Sequence, residues 1–170
     1  DAMILRSAGP VIPPYDENDN ACRLLHDNLS LAINDYSIGS LVLLGHSQCG
    51  AAMKLANNIY NPGDTPCLKN LSCPLVQSAL DKCDHQSNEN LAKEIEDQII
   101  IHGIKNLFDY PVILQAIKEQ RLTVEGMQFD MKGGRLLKLS PNLDGFRFEV
   151  IAGPIDNPQS TSDIQKSAKA

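Results

Sequence analysis

His46 and Cys49 stand at His-x-x-Cys spacing inside Leu41-Val42-Leu43-Leu44-Gly45-His46-Ser47-Gln48-Cys49-Gly50. Imidazole and thiolate are donors that zinc takes readily, and catalytic zinc sites commonly keep three protein ligands and one open position. The pair therefore supplies two ligands of three. A cysteine close to a helix start also has its thiolate favoured by the amide dipoles there. The same letters nearly write the nucleophile elbow Gly-x-Ser-x-Gly, in which a strained strand-to-helix turn exposes a serine. Here Gly45-His46-Ser47-Gln48-Cys49 has cysteine in place of the last glycine, and the last histidine, His102, precedes the final hairpin, so no triad is completed in order. A third reading makes His46 a loop residue and Cys49 a small packing side chain. For an isolated pair that third reading is the commoner one, because metal sites normally show their ligand count in the sequence.

Elements must hold these residues. Ala2-Met3-Ile4-Leu5 reads as a buried strand, and Val11-Ile12-Pro13-Pro14-Tyr15, whose prolines forbid a regular ladder, as an irregular loop. Asp19 or Asn20 caps a helix through Leu24, Leu25, Leu29, Leu31, Ala32 and Ile33, closed by Tyr36 to Gly39. Ser40 to Leu44 is a strand, and a helix follows from about Gly50 to Asn58. Residues 59–74, rich in Pro and Asn, form a loop. Leu75 to Leu80 and Leu91 to Leu107 are helical, the second with Ile95, Ile99, Ile100, Ile104 and Leu107 on an inward face. Pro111 suits the first turn of a helix over Val112 to Gln120. Leu122 to Met131 is a strand that Lys132-Gly133-Gly134 turns into Arg135 to Leu139, and Phe146 to Ile151 adds one more.

Strands alternating with helices early and a hairpin late predict an α/β fold: a mostly parallel central sheet flanked by helices, with an antiparallel edge hairpin. A single domain over residues 1–153 is expected, followed by a disordered tail over 154–170, which is rich in Ser, Gln, Asp and Lys. Sites in open α/β sheets gather at the carboxyl ends of strands, where His46 and Cys49 fall.

The chain has 170 residues, 42% apolar and 21% charged, with a net charge of −6. Its pI near 5.1 gives no footprint for nucleic acid or an anionic membrane, which need clustered Lys and Arg. No apolar run reaches the length of a membrane span. Cys22, Cys49, Cys67, Cys73 and Cys83 are an odd count at uneven spacing, which argues against a disulfide framework and for a reducing, cytoplasmic setting. Cys67, Cys73 and Cys83 read as ordinary small side chains rather than a second metal site.

Several blocks, in order and at similar spacing, resemble the β-class carbonic anhydrases, most of all the plant-type branch. They are Arg6-Ser7-Ala8-Gly9, Val11 to Tyr15, Leu41 to Gly50, Lys105-Asn106-Leu107-Phe108-Asp109-Tyr110-Pro111 and Val124 to Asp130. The resemblance covers roughly residues 2 to 140. It implies reversible hydration of carbon dioxide to bicarbonate, a zinc cofactor with His46 and Cys49 as two of its ligands, and a homodimer or higher even oligomer. In such a site zinc makes hydroxide available from water near neutral pH. The family's other cysteine, with an aspartate and an arginine, comes from a Cys-x-Asp-x-Arg motif on the preceding strand, and that motif does not occur here; Cys83-Asp84-His85 and Cys22-Arg23 do not fit it. Ser7 and Met127-Gln128 also depart from the family pattern. The start at Asp1, inside an apolar run, points to a fragment or processed form of a longer protein whose third ligand and Asp-Arg pair lie upstream. The alternative is a carbonic anhydrase-like protein that lost a strand, the full zinc site and its activity; a serine hydrolase using Ser47 comes third.

Overall fold

The structure, a computed structural model, describes residues 2–6, 11–60, 73–83, 87–142 and 145–153. Helix α1 (Asn20–Ser30) begins where the Asp19 carboxylate accepts hydrogen bonds from the backbone N–H groups of Ala21 and Cys22. It widens into a π-helical turn over Leu31–Asp35 that keeps Ala32 and Ile33 in the core. Strand β1 (Ser40–His46) leads into α2 (Gly50–Tyr60), and α3 (Cys73–Lys82) follows. Ser87 caps the long α4 (Asn88–Leu107) through the Asn90 N–H. Pro111 occupies the first turn of α5 (Pro111–Lys118). The chain closes with β2 (Thr123–Asp130), β3 (Arg135–Asn142) and β4 (Gly145–Ala152).

The strands lie in the order β1-β2-β3-β4. β1 and β2 run parallel in a register from Ser40 opposite Thr123 to His46 opposite Phe129, with four helices among the described residues of the crossover between them. β2 to β3 and β3 to β4 are antiparallel, and the first of these turns carries Gly134 at φ +62°. Asp130 steadies that turn by accepting from the Lys132 and Gly133 amides and from Arg135.

Helix α4 packs on one face of the sheet. Its Ile100 and Ile104 press on β2 at Gly126, where an added Cβ would lie 3.0 Å from Ile100 Cγ2 and 3.1 Å from Ile104 Cγ1. Leu43, Leu122, Leu139, Tyr110 and Ile113 complete this core. A second core joins α2, α3 and the first half of α4 through Ala52, Leu55, Leu75, Ala79, Leu91 and Ile95. Alternation along β1 turns Leu43 to the helices and leaves Val42 and Leu44 exposed on the opposite face, beside Phe129.

The α/β class and the late hairpin match the sequence reading. Among the described residues the sheet is mixed, with one parallel pairing and two antiparallel ones. One expected strand is corrected: Ala2 to Leu5 form no strand, and Ile4 is 68% exposed. An apolar run becomes a strand only where a neighbour takes its backbone N–H and C=O groups, and none of the described strands pairs with it. Asp1, Ser7, most of the loop over residues 59–74 and the tail from Pro154 lie outside the described residues. No helix among those described is long and apolar enough to cross a membrane.

Candidate functional site

The parallel pairing carries β1 to its carboxyl end at His46, directly opposite Phe129. The next residue continues the contact, because the Ser47 amide donates to the Phe129 carbonyl at 2.9 Å. The Ser47 hydroxyl in turn accepts from the Met131 amide at 2.9 Å. Gln48 then takes the left-handed conformation, φ +58°, which reverses the chain into α2. The Cys49 carbonyl accepts the Met53 N–H, so Cys49 sits at the N-cap of α2.

His46 is exposed, and its Nδ1 lies 2.9 Å from the Ser47 carbonyl. A carbonyl can only accept, so Nδ1 is the donor, which leaves Nε2 as the nitrogen that could ligate a metal. Cys49 is a free cysteine, only 8% exposed, packed in the core with Ala52 and Leu55 at the helix N-terminus. The two sequence-predicted ligands thus fall on either side of the Ser47-Gln48 turn. Their donor chemistry fits zinc, as two ligands of a larger set. Among the described residues no group of three or more His, Cys, Asp or Glu side chains forms a metal-binding cluster. Ser47, the candidate nucleophile of the elbow reading, spends its hydroxyl as an acceptor that docks the β2 turn.

Two carboxylates of α4, passed over in the sequence, reach the same end of the sheet. Glu96 accepts from the Cys49 amide at 2.6 Å, with the Gln48 amide adding to the pull. Burial raises its pKa, against the lowering effect of those amides and of His46. Asp97 accepts from Gln128 Nε2 at 2.9 Å; burial, offset in part by that bond, pushes its pKa up to about 6. Gln128 pairs with Gly45 across the sheet, one residue before His46. The legible signal was Glu96 itself, a carboxylate spaced with Ile99 and Ile100 on the inward stripe of α4.

The other sequence features lie elsewhere. His102 of α4 meets Ser78 of α3 at 3.0 Å and has its pKa lowered by burial and then by Lys105 and Lys82. The Val11-to-Tyr15 segment is pinned through its carbonyls: Asn106 donates to Ile12 at 2.7 Å, Tyr110 to Pro13 at 3.1 Å and Cys22 to Pro14 at 3.3 Å. Burial raises the Tyr110 pKa. Cys22 is a free cysteine, while Cys67, Asp84 and His85 lie outside the described residues.

The sequence profile of the carbonic anhydrase family matches residues 1–136. The chain is 24% identical over 144 residues to β carbonic anhydrase 3 of Arabidopsis thaliana, covering 79% of this chain and 53% of that protein. It is 25% identical to a carbonic anhydrase of Pseudomonas aeruginosa, over 79% of this chain and 60% of that one. The chain therefore spans between about half and three fifths of these relatives' length. Among solved structures it resembles the β-carbonic anhydrase CcaA, with a TM-score of 0.72 at 24% identity, over 86% of this chain and 71% of that one. It also resembles a structure of the tetrameric β-carbonic anhydrases from Sordaria macrospora, with a TM-score of 0.54 at 23% identity, over 79% of this chain and 65% of that one.

Proposed function

The chain belongs to the β-carbonic anhydrase family, and from that premise we propose that it serves the reversible hydration of carbon dioxide to bicarbonate with zinc held in part by His46 and Cys49. The observation that supports the ligand assignment is the Ser47 carbonyl on His46 Nδ1, which leaves Nε2 as the ring nitrogen for a metal, three residues before a cysteine at a helix N-cap. A zinc ion there would supply Lewis acidity that makes a nucleophile from water near neutral pH. The chain's own residues do the holding. His46 offers a ring nitrogen, Cys49 offers a sulfur at the α2 N-cap, and the bonds of Ser47 to Phe129 and Met131 keep the turn against β2. The third protein ligand is one that the described residues do not supply.

We read the working form as a homodimer or higher even oligomer, in support of which β1 and β2 leave Val42, Leu44 and Phe129 exposed on the face away from α4. The free cysteines Cys22 and Cys49 support a cytoplasmic setting.

Stopped-flow hydration of carbon dioxide, followed with a pH indicator on the purified full-length protein, tests the proposal. Zinc-dependent turnover that disappears on chelation is expected. Zinc-free protein without turnover would instead favour the second reading, a carbonic anhydrase-like scaffold with an incomplete site.

A further inference from the structure

The turn from Ser47 to Cys49 needs to be held. Gln48 is not glycine, yet it sits at φ +58°, a conformation that persists only where its surroundings over-determine it. Two bonds, from the Ser47 amide to Phe129 and from the Met131 amide to the Ser47 hydroxyl, tie the His46 side of the turn to β2. On the Cys49 side the tie comes from the helix layer. An N-cap residue's own amide lies outside the helical ladder, and the usual remedy is a Glu or Gln at the third helical position reaching back to it. In α2 that position is Ala52, which has no side-chain oxygen. Glu96 of α4 supplies the oxygen from another element, 2.6 Å from the Cys49 amide. Glu96 is buried beside Ile95 and Ile99, on a stripe where an apolar side chain would avoid the desolvation of a carboxylate.

We propose that Glu96 is a positioning residue: its carboxylate hooks the Cys49 amide and so fixes the turn that presents the Cys49 thiol. The hook is an acceptor geometry. Its consequence for zinc rests on the reading of Cys49 as a ligand, whereas the hook itself can be read without metal.

The test uses the full-length protein with Glu96→Met, which fills the space without an acceptor, and Glu96→Gln, which keeps an acceptor oxygen. Amide hydrogen exchange on metal-free protein should be roughly tenfold faster or more at Cys49 in E96M, the scale of a lost hydrogen bond to a charged group. Exchange at Ile100, further along α4, should be unchanged, and E96Q should stay near the wild type. Zinc affinity, by competition with a chelator, should fall roughly 10- to 100-fold in E96M and recover in E96Q. Unchanged Cys49 exchange in E96M overturns the proposal, as does E96Q exchanging as fast as E96M. If E96M does not fold, the wild type decides: strong protection at the Cys49 amide relative to the exposed Gly50 amide supports the hook, and equal protection overturns it. Protein that shows the predicted exchange pattern but takes up no zinc in any form keeps the hook and removes the metal reading.

Discussion

Gln128 of β2 donates its side-chain amide to the Asp97 carboxylate of α4 at 2.9 Å, tying the helix layer to the strand that pairs with the His46 end of β1. Burial raises the Asp97 pKa from 3.8 to about 6, so folding favours the neutral acid and its ionisation costs stability. The cost is absent below the unfolded value, grows between about pH 4 and 6, and is fully present above that window. Asp97→Asn keeps an acceptor for Gln128 and removes the charge. The variant should be more stable than the wild type at pH 7, by up to about 3 kcal/mol for a pKa raised from 3.8 to about 6. The difference should vanish near pH 4. Urea unfolding at both pH values measures it.

At Gly126 the side chains of α4 press close on β2. A methyl group there would meet Ile100, Ile104 and Leu139 at 3.0 to 3.2 Å. Gly126→Ala should therefore destabilise the fold by about 1–3 kcal/mol through overpacking, read as a lowered thermal midpoint.

The Pro13-Pro14 segment has no amide protons on its prolines, so its backbone hydrogen bonds run through its carbonyls. Tyr110→Phe deletes the donor to Pro13 while keeping the ring against Tyr15. A loss of about 1 kcal/mol is expected from that single bond. Asn106→Ala, which strips the Ile12 carbonyl of its donor, should cost a similar amount, and the two effects can be compared by denaturant midpoints.

Ser47→Ala separates a docking hydroxyl from a nucleophile. It removes the acceptor for the Met131 amide and should cost about 1 kcal/mol of stability. Carbon dioxide hydration should stay within a few-fold of the wild type. Esterase turnover abolished by this change alone would favour the elbow reading.

Local signals made much of the fold legible. Asp19 as a cap, Pro111 in a first turn, Ile95, Ile99, Ile100 and Ile104 on one helix face, and Lys132-Gly133-Gly134 between two strands each act within a few residues, and each stands in the structure. Ala2 to Leu5 misled because four apolar residues say nothing about which neighbour takes their ladder. Within the candidate site, the positions of His46 and Cys49 at a strand end followed from the sequence. Glu96 and Asp97 escaped it because their partners, Cys49 and Gln128, are brought to them only by packing α4 on the sheet.

The most direct test of the ligand assignment is the zinc content of the full-length protein and of its Cys49→Ser variant, by elemental analysis after dialysis. About one zinc per chain in the wild type, lost in the variant, is the predicted result. Zinc retained at full stoichiometry without the Cys49 thiol, or no zinc in the wild type, would contradict it.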